Sequence, residues 1–407
     1  MLILQVLRWL LLPMEIAIAG PVLYLCLLSL SAILTARKRK TKANVCVVPA
    51  PSSLNLAILV PAHNEVAILS TLLESLASLA YPKDRFTVYV VADNCTDATA
   101  ELVRATGWVH VYERFDQDRR GKGYALNWLL QKLEEDRLIY DAYVFLDADS
   151  VVGPSFLQIM NRELAYGAQA LQACYTVLNA TESPGTALRW IALTLMNYVR
   201  PLGRSGLGAS ATLAGNGMCF SRTLLLRHPW RAFSLTEDYQ YYLTLVQHGV
   251  RIHYVPEAVV SSPMPTTFAQ MRTQDIRWES SAGGQPAWRM ALRLLGVGLR
   301  YRDFRRIEAI AELLTPPLSL LVCWCLVALM LSLFLWPWPG LVFSLLLICG
   351  VIGYIGTALY LLRPPRAVYV ALLHSPGFII WKLWVYFVLR RSKKHTSEWV
   401  RTSRTAS

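Results

Sequence analysis

Two long runs without charged side chains constrain this chain more than any other feature. Residues 16–36 carry no charge, and residues 313–362 contain no Asp, Glu, Lys or Arg. Because about 20 apolar residues suffice for a helix to cross a bilayer, the first run predicts a transmembrane anchor within residues 1–36. The second run is long enough for two crossings, and Trp-Pro-Trp-Pro-Gly at 336–340 divides it, so we predict a helical hairpin.

Basic residues beside the uncharged runs predict their orientation. A basic linker at 37–53 follows the anchor, and Arg363 and Arg366 follow the hairpin. Short segments rich in Lys and Arg stay on the cytoplasmic side of a membrane. We therefore expect a multi-pass protein of the cell inner (plasma) membrane whose basic segments lie in the cytoplasm.

Two further segments are expected to lie at the membrane surface. In residues 283–312, arginines interleave with Leu, Trp and Ile, which predicts amphipathic helices on the inner leaflet. Residues 367–389 are apolar enough to cross the membrane, but a crossing would export the basic tail. For residues 363–407 we favour an interfacial or re-entrant segment with a cytosolic tail, and a full crossing is the alternative.

The composition of the chain is apolar and basic. Of its 407 residues 54% are hydrophobic and 16% are charged, and the net charge is +13. Such values exclude a disordered or collagen-like chain. The positive surplus suits an anionic lipid or a phosphorylated substrate. Because the basic residues flank apolar segments and form no aromatic-laced surface, we expect no nucleic-acid partner.

Between the membrane segments, residues 54–282 alternate short apolar runs with helical periods. The strand-like runs are 56–60, 86–91 and 143–146, and the helical runs are 66–79, 97–106, 123–135 and 154–166. This alternation predicts an α/β domain with a mostly parallel, Rossmann-like sheet. Ligands of such sheets bind beyond the carboxyl ends of the strands.

Polar motifs stand where the predicted strands end. They are Pro-Ala-His-Asn-Glu at 61–65, Asp-Asn-Cys-Thr-Asp at 93–97 and Asp-Ala-Asp at 147–149, with Thr-Glu-Asp at 236–238 and Gln-Asp-Ile-Arg-Trp at 274–278 behind them. Each motif alone is weak, because Asp is also a common helix cap. Five motifs in this order are far more specific.

These motifs resemble those of the membrane-bound family 2 glycosyltransferases. That family includes cellulose, chitin, hyaluronan and poly-N-acetylglucosamine synthases and ceramide glucosyltransferase. The resemblance is close over residues 54–282 and loose in the membrane segments. It implies a GT-A catalytic domain that takes a sugar from a nucleoside diphosphate sugar, usually UDP-linked, with inversion.

The resemblance also implies roles for individual residues. Residues expected to bind the donor are Pro61, Glu65, Asp93, Lys122, Asp147, Asp149 and Arg277. Asp149 is in addition the expected ligand of Mg²⁺ or Mn²⁺, because a diphosphate leaving group needs a cation and hard cations prefer oxygen ligands. For Lys122 the alternative is a solvated loop lysine. One departure stands in the second motif, where Ala92-Asp93 supplies only one of the usual two carboxylates.

A second group of residues is expected to act on the acceptor. Asp238, with Glu237 beside it, is the expected catalytic base, because a carboxylate can take the proton of the attacking hydroxyl. Asp238 would equally suit a helix N-terminus. The remaining assignments are Gly215, Asn216, Gly217, Gln274 and Trp278 for acceptor binding and Trp399, Thr402 and Arg404 for gating over the nucleotide. Glu-Ser-Ser-Ala at 279–282 departs from the family's Gly-Arg, which affects the acceptor contacts.

Two enzyme functions fit these motifs. We favour a processive synthase of a β-linked polysaccharide, and the alternative is a single sugar addition to a membrane lipid. About three crossings leave little material for a pore, so a synthase would need an accessory export or channel partner. A transporter is disfavoured because transport sites lie between membrane spans and need no such α/β domain.

The predicted organisation has six segments. They are the anchor at 1–36, the linker at 37–53, the catalytic domain at 54–282, interfacial helices at 283–312, the hairpin at 313–362 and the final segment at 363–407.

Overall fold

The computed structural model describes residues 2–43, 53–267, 270–271, 274–275, 287–335 and 338–391. Numbered along these residues, the helices are α1 (Leu2–Ala43), α2 (Leu69–Ala77), α3 (Thr99–Ala105), α4 (Lys122–Glu135), α5 (Phe156–Ala165), α6 (Pro184–Thr194), α7 (Arg200–Gly206), α8 (Arg222–Arg227), α9 (Glu237–Gln247), α10 (Ala287–Tyr301), α11 (Phe304–Leu314), α12 (Leu318–Leu335), α13 (Pro339–Leu362), α14 (Arg366–Ala371) and α15 (Ser375–Arg391). The strands are β1 (Leu56–Ala62), β2 (Phe86–Asp93), β3 (His110–Arg114), β4 (Ala142–Phe145), β5 (Val151–Val152), β6 (Ala170–Val177), β7 (Met218–Ser221) and β8 (Ile252–Ser262).

The chain divides into two compact units. The membrane unit combines Met1–Val45, Thr181–Ala209 and Ala287–Arg391, and the sheet unit contains Cys46–Ala180 and Ser210–Pro286. This division differs from the predicted continuous domain at 54–282, because residues 181–209 belong to the membrane unit.

The sheet unit is built on one mixed sheet with the strand order β3-β2-β1-β4-β7-β6-β8-β5. Strands β3, β2, β1 and β4 run parallel, β7 is antiparallel to β4 and β6, and β6 is parallel to β8. The expected mostly parallel α/β sheet is therefore confirmed. Its carboxyl edge collects the loops that follow β1, β2, β3 and β4.

Helices cover both faces of the parallel half of the sheet. On one face Ile58 and Val60 of β1 share a buried core with Leu72 of α2 and Phe156 of α5. Side chains alternate along a strand, so Leu59 points to the opposite face, where α4 packs against β1 and β2. Burial on both faces explains why β1 is apolar at almost every position.

The membrane unit contains helices that are long and apolar enough to cross a bilayer. Among the described residues there are four such segments: Leu11–Thr41, Leu318–Leu335, Pro339–Leu362 and Arg366–Val385. Helix α1 is longer than the predicted run, because it continues through the basic cluster after residue 36. The fourth segment is the one for which the basic tail predicts an interfacial or re-entrant course. Its length and composition also fit a crossing.

Close helix contacts explain why residues 181–209 belong to the membrane unit. A side chain at Gly203 of α7 would overlap the Leu28 carbonyl of α1, and Ser31 Oγ donates a hydrogen bond of 2.7 Å to the Gly203 carbonyl. Glycine at this position lets the two backbones approach closely.

A buried ionic network also joins helices of the membrane unit. Arg204 is fully buried, and its Nε and Nη2 atoms each donate to Glu308 at 2.7 Å. Tyr24 donates to Glu308 at 2.6 Å, and Arg200 donates to Glu312 at 3.2 Å and to Tyr354 at 2.9 Å. The network thus links α1, α7, α11 and α13.

Candidate active site

Lys122 joins three predicted motifs at the carboxyl edge of the sheet. It is the first residue of α4, and its Nζ donates to Asp147 Oδ1 at 2.5 Å and to the Gly215 carbonyl. The same Nζ lies 3.7 Å from Glu237 Oε1. Residues distant in the sequence therefore meet at one ammonium group, which is mostly shielded from solvent.

The charges around Lys122 shift one another's pKa values. Burial lowers the pKa of Lys122, but the carboxylates of Asp147 and Glu237 outweigh it, and the pKa is raised overall. Lys122 is therefore a permanent cation. Burial raises the pKa of Glu237 and of Asp238, although the ammonium of Lys122 opposes the shift in both.

Asp238 presents a carboxylate beside the Lys122 cluster. It is the second residue of α9, and its Oδ1 accepts a hydrogen bond of 2.7 Å from its neighbour's amide, Tyr239 N. A Cβ built on Gly215 would lie 3.1 Å from Asp238 Oδ2. Glu237 is buried against the lysine, whereas Asp238 is partly exposed. Both interpretations of Asp238 hold together, because it stands at a helix N-terminus and within the site.

Asn216 fixes the loop that carries Asp147. It is fully buried, and its Oδ1 accepts from Asp147 N at 3.2 Å and from Ser150 Oγ at 3.1 Å. Its Nδ2 lies 3.3 Å from Ser262 Oγ, which donates to Asp149 Oδ1 at 3.2 Å. The side chain of Asn216 thus helps to position the two aspartates, and the predicted part of Asn216 in acceptor binding stays a prediction.

The glycines that flank Asn216 have left-handed backbone conformations. Gly215 has φ +73° and Gly217 has φ +69°. A Cβ on Gly217 would lie 2.7 Å from Ala173 Cβ and 2.8 Å from Val260 Cγ2. Gly215 faces the carboxylate of Asp238 and the ammonium of Lys122, so it is the glycine that borders the site.

Hydrogen bonds connect the motif after β1 with the motif after β2. Asn64, with φ +57°, accepts from Thr96 N at 2.7 Å, and Glu65 N donates to Thr99 Oγ1 at 2.9 Å. Pro61, the first residue of the first motif, lies within β1. Asn is among the residues that tolerate a positive φ, which explains its use at this sharp turn.

Asp93 forms a buried ion pair that the sequence did not reveal. Arg114 Nη1 donates to Asp93 Oδ1 at 2.5 Å, and Arg114 Nη2 donates to Asp116 Oδ2 at 2.9 Å. Burial raises the pKa of Asp93, and the guanidinium of Arg114 counteracts the shift. Arg114 is the last residue of β3, and strand-end placement was the signal that could have identified it.

The acidic residues of the site fit a divalent cation. Lys122 shares one hydrogen-bonded and ionic network with four carboxylates, those of Asp147, Asp149, Glu237 and Asp238. In the described part of the chain no three His, Cys, Asp or Glu side chains form a closed metal cage. Mg²⁺ is commonly held by one or two carboxylates and the substrate's phosphates. The donor set of Asp147 and Asp149 has this chemistry.

An aromatic cluster supports the helices of the site, and the sequence interpretation missed it. Trp230 is almost fully buried, its Nε1 donates to the Gly123 carbonyl at 3.2 Å, and its ring centroid lies 4.7 Å from that of Tyr241 in α9. Phe145 and Phe220 complete the cluster. The indole therefore connects the start of α4, which carries Lys122, with α9, which carries Asp238.

Several predicted site residues lie outside the described residues. They are Arg277, Trp278, Trp399, Thr402 and Arg404. Gln274 is described and is 3% exposed. The expected binding roles of Gln274, Arg277 and Trp278 thus remain predictions.

Relatives of this chain are glycosyltransferases. It is 26% identical over 230 residues to a protein named probable glycosyltransferase YdaM of Bacillus subtilis, covering 55% of this chain and 54% of the relative. It is 30% identical over 192 residues to a β-monoglucosyldiacylglycerol synthase of Nostoc sp., covering 45% and 39%. It is 24% identical over 233 residues to glucomannan 4-β-mannosyltransferase 1 of Cyamopsis tetragonoloba, covering 54% and 44%.

The chain thus spans about half or less of the length of these relatives. Among solved structures it is similar to the mannosyltransferase PcManGT of Pyrobaculum calidifontis, which was determined in complex with GDP-Man and Mn²⁺. The identity is 15%, the TM-score is 0.47, and the match covers 93% of this chain and 100% of that chain.

The family profile described as "Glycosyltransferase like family 2" matches residues 51–281. The match begins next to β1 and ends beyond β8, so it contains every motif from Pro61 to Trp278. The expected GT-A fold and enzyme class are confirmed. The chain therefore belongs to the family 2 glycosyltransferases, enzymes that use nucleotide sugars.

Proposed function

We propose that this enzyme transfers a sugar from a UDP-sugar to a hydroxyl group with inversion, and that Asp238 is the general base. The observation that carries the proposal is the position of Asp238. Asp238 is partly exposed, and its carboxylate lies beside Gly215. The Gly215 carbonyl binds Lys122, and Lys122 in turn binds Asp147. A proton acceptor and the groups that would hold a leaving diphosphate thus stand side by side.

The residues of the site support a single displacement. As the acceptor oxygen bonds to the anomeric carbon, the bond from that carbon to the diphosphate oxygen breaks, and Asp238 accepts the hydroxyl proton. Burial raises the pKa of Asp238, which makes its carboxylate a stronger base than an exposed one. Lys122 places a fixed positive charge where negative charge develops on the leaving group.

A divalent cation would complete this charge balance. Asp149, with Asp147 next to it, would hold Mg²⁺ or Mn²⁺, which would neutralise diphosphate oxygens when bound. Asn216 and Ser262 keep the two aspartates in place before any ligand arrives. Asp93 and Glu65, on the adjoining strand ends, would contact the uridine, and Arg277 the phosphates.

For the acceptor, the packing of the membrane unit favours a lipid. Helix α1 packs closely against α12 and α13, and Leu28, Ala328 and Ala358 are fully buried. A Cβ on Gly350 would lie 2.6 Å from Val22 Cγ1, so α1 and α13 approach closely. These interfaces are filled by side chains, so a growing polysaccharide would have no path between the helices. A lipid acceptor already lies in the membrane and does not have to pass between them. The β-monoglucosyldiacylglycerol synthases among the relatives fit this choice.

Polysaccharide synthesis is the second candidate. It is supported by the similarity to glucomannan 4-β-mannosyltransferases. In that case the product would need an accessory export or channel partner, and Trp278 would stack on the terminal sugar as the chain grows.

Product analysis tests this proposal. The full chain is reconstituted in liposomes that contain diacylglycerol or ceramide, supplied with Mn²⁺ and a panel of radiolabelled UDP-sugars. We expect the label of one UDP-sugar to appear in a low-mass product that extracts into organic solvent. A water-soluble, high-mass, glycosidase-sensitive product would instead establish the polymer, and no incorporation from any UDP-sugar would contradict both functions.

Cysteine labelling in sealed vesicles tests the proposed cytoplasmic orientation. We expect Ser397→Cys and Lys40→Cys to lie inside and Gly340→Cys to lie outside.

A further inference from the structure

The corner between α10 and α11 contains a basic cavity. Its volume is about 410 Å³, and it is lined by Gly208 and by residues 301–306. None of these residues belongs to the motifs of the active site. All of them belong to the membrane unit.

The walls of the cavity carry a surplus of positive charge. Arg302, Arg305 and Arg306 contribute three guanidinium groups, and Asp303 contributes one carboxylate. Asp303 lies 3.8 Å from Arg305 Nε and 3.6 Å from Arg306 Nη1, beyond normal hydrogen-bonding distance. Asp303 Oδ1 also accepts a hydrogen bond of 3.0 Å from Arg305 N, so Asp303 is the N-cap of α11. Arg302 and Arg305 together bring more positive charge than the single carboxylate of Asp303 balances, so the cavity suits an anion.

Two of the arginines are available to such an anion. Arg302 is exposed and Arg305 is half-exposed, whereas Arg306 is mostly buried with its guanidinium 5.0 Å from the ring centroid of Tyr301. Arg302 has φ +51°, which turns the chain sharply between the two helices. Because of this turn, Arg302 and Arg305 line the same cavity.

The cavity adjoins an exposed apolar surface. Helix α10 bears large apolar side chains at intervals of three or four residues, each 39% or more exposed: Trp288, Leu292, Leu295 and Leu299. Phe304, which lines the cavity, and Ile307 on α11 are exposed as well. This spacing places the side chains of α10 along one stripe of the helix.

The other two sides of α10 have different chemistry. One packs inward through Ala291, Leu294 and Gly298. The remaining side carries Arg289, Arg293 and Arg300, spaced along the same helix. An exposed apolar stripe beside a basic side is the pattern of a helix that lies in the headgroup region of a membrane.

We propose that this cavity binds the phosphate headgroup of an anionic phospholipid, whose acyl chains lie along the apolar stripe of α10. Arginine binds phosphate through charge-assisted hydrogen bonds, which Arg302 and Arg305 supply. A free phosphate would use the arginines alone, and the adjacent apolar stripe is what favours a lipid.

The proposal is tested by native mass spectrometry of the full chain after delipidation in detergent. Short-chain phosphatidylglycerol, phosphatidylcholine and glycerol phosphate are titrated separately. We expect phosphatidylglycerol to bind about tenfold more tightly than either of the others, because it alone offers both an unbalanced anion and acyl chains. Equal binding of phosphatidylcholine, or of glycerol phosphate, would overturn the proposal.

Paired variants separate the cavity from the general basic surface. The double variant Arg302→Gln/Arg305→Gln removes two charges from the cavity, and Arg289→Gln/Arg293→Gln removes two from α10 outside it. We expect the first to weaken phosphatidylglycerol binding about tenfold and the second less than about twofold. Arg302→Lys/Arg305→Lys should retain most of the binding. Equal losses in the two glutamine variants would show diffuse attraction and contradict a site. These readouts need no sugar transfer, so they are independent of the proposed function.

Discussion

Lys122 is the residue on which the geometry of the site depends most. Its ammonium group binds Asp147 and the Gly215 carbonyl and pairs with Glu237, so it holds three segments of the chain together. The sequence left open whether this lysine is a solvated loop residue. Its contacts exclude that alternative.

Replacing Lys122 by methionine should lower kcat/KM by about 100-fold or more, because a preorganised positive charge at the leaving group is lost. Lys132→Met is the matched control, because Lys132 lies on the same helix, is partly exposed and pairs with Glu135 at 2.5 Å. Steady-state kinetics with the accepted UDP-sugar checks both variants. Equal activity of the two variants would remove Lys122 from the site.

The pH dependence of transfer should reflect the raised pKa of Asp238. A base must be deprotonated to act, so activity is full above its pKa and is lost as the pH falls through it. Because burial raises this pKa, we expect the acid limb of kcat/KM to lie above the range near 4 that is usual for Asp. A profile that stays flat from about pH 7 down to about pH 4 would contradict Asp238 as the base.

At the scale of elements, β1, β2 and β4 of the parallel half of the sheet were predicted from the sequence, whereas β3 and the other half of the sheet were not. The apolar runs at 56–60 and 86–91 became β1 and β2, and the run at 123–135 became α4, because each is a local pattern buried by near neighbours. Strand β8 contains Pro256 and pairs with β6 across a register shift, so its pattern is irregular. Its position depends on partners far away in the sequence, which periodicity does not report.

The active site likewise contains features that the sequence predicted and features that it did not. Strand-end placement predicted the Asp147–Asp149 motif, and the family resemblance assigned Lys122 to the same donor site. It did not predict that Asn216 would be buried beneath the loop or that Arg114 would pair with Asp93. Those contacts depend on how side chains fill the interior after the strands have assembled.

The loop between Ala214 and β7 offers a test of packing at this scale. Gly217→Ala and Gly167→Ala both place a Cβ on a residue with positive φ, but only the first meets other atoms, Ala173 Cβ and Val260 Cγ2. Positive-φ strain alone costs on the order of 1 kcal/mol, and overpacking adds about 1–3 kcal/mol. Thermal unfolding should therefore show a larger decrease in Tm for Gly217→Ala. Equal decreases would mean that the contact relaxes without cost.

At the scale of the whole molecule, each unit has its own polar network. The sheet unit surrounds Lys122 with carboxylates, and the membrane unit pairs Arg204 with Glu308 and Arg200 with Glu312. Composition predicted membrane helices, but the sequence could not predict that residues 181–209 join them. That assignment depends on contacts such as Gly203 with Leu28.

The pair of Arg204 and Glu308 should be important for the stability of the membrane unit. Glu308→Gln leaves a fully buried guanidinium without its carboxylate, which typically costs about 3–5 kcal/mol. We expect a clear decrease in Tm in detergent. The double variant Arg204→Met/Glu308→Leu should recover most of it, because both charges of this pair are removed together. If the single variant unfolds at the wild-type temperature, the pair does not stabilise the fold.

The central claim is that Asp238 removes the acceptor proton at a site built by Lys122, Asp147 and Asp149. The most direct measurement compares UDP-sugar binding and sugar transfer in Asp238→Asn, which keeps the size of the side chain and removes its basicity. The account predicts binding within about twofold of wild type and transfer reduced by about 10²–10⁴-fold. Transfer near the wild-type rate, or loss of UDP-sugar binding together with transfer, would contradict it.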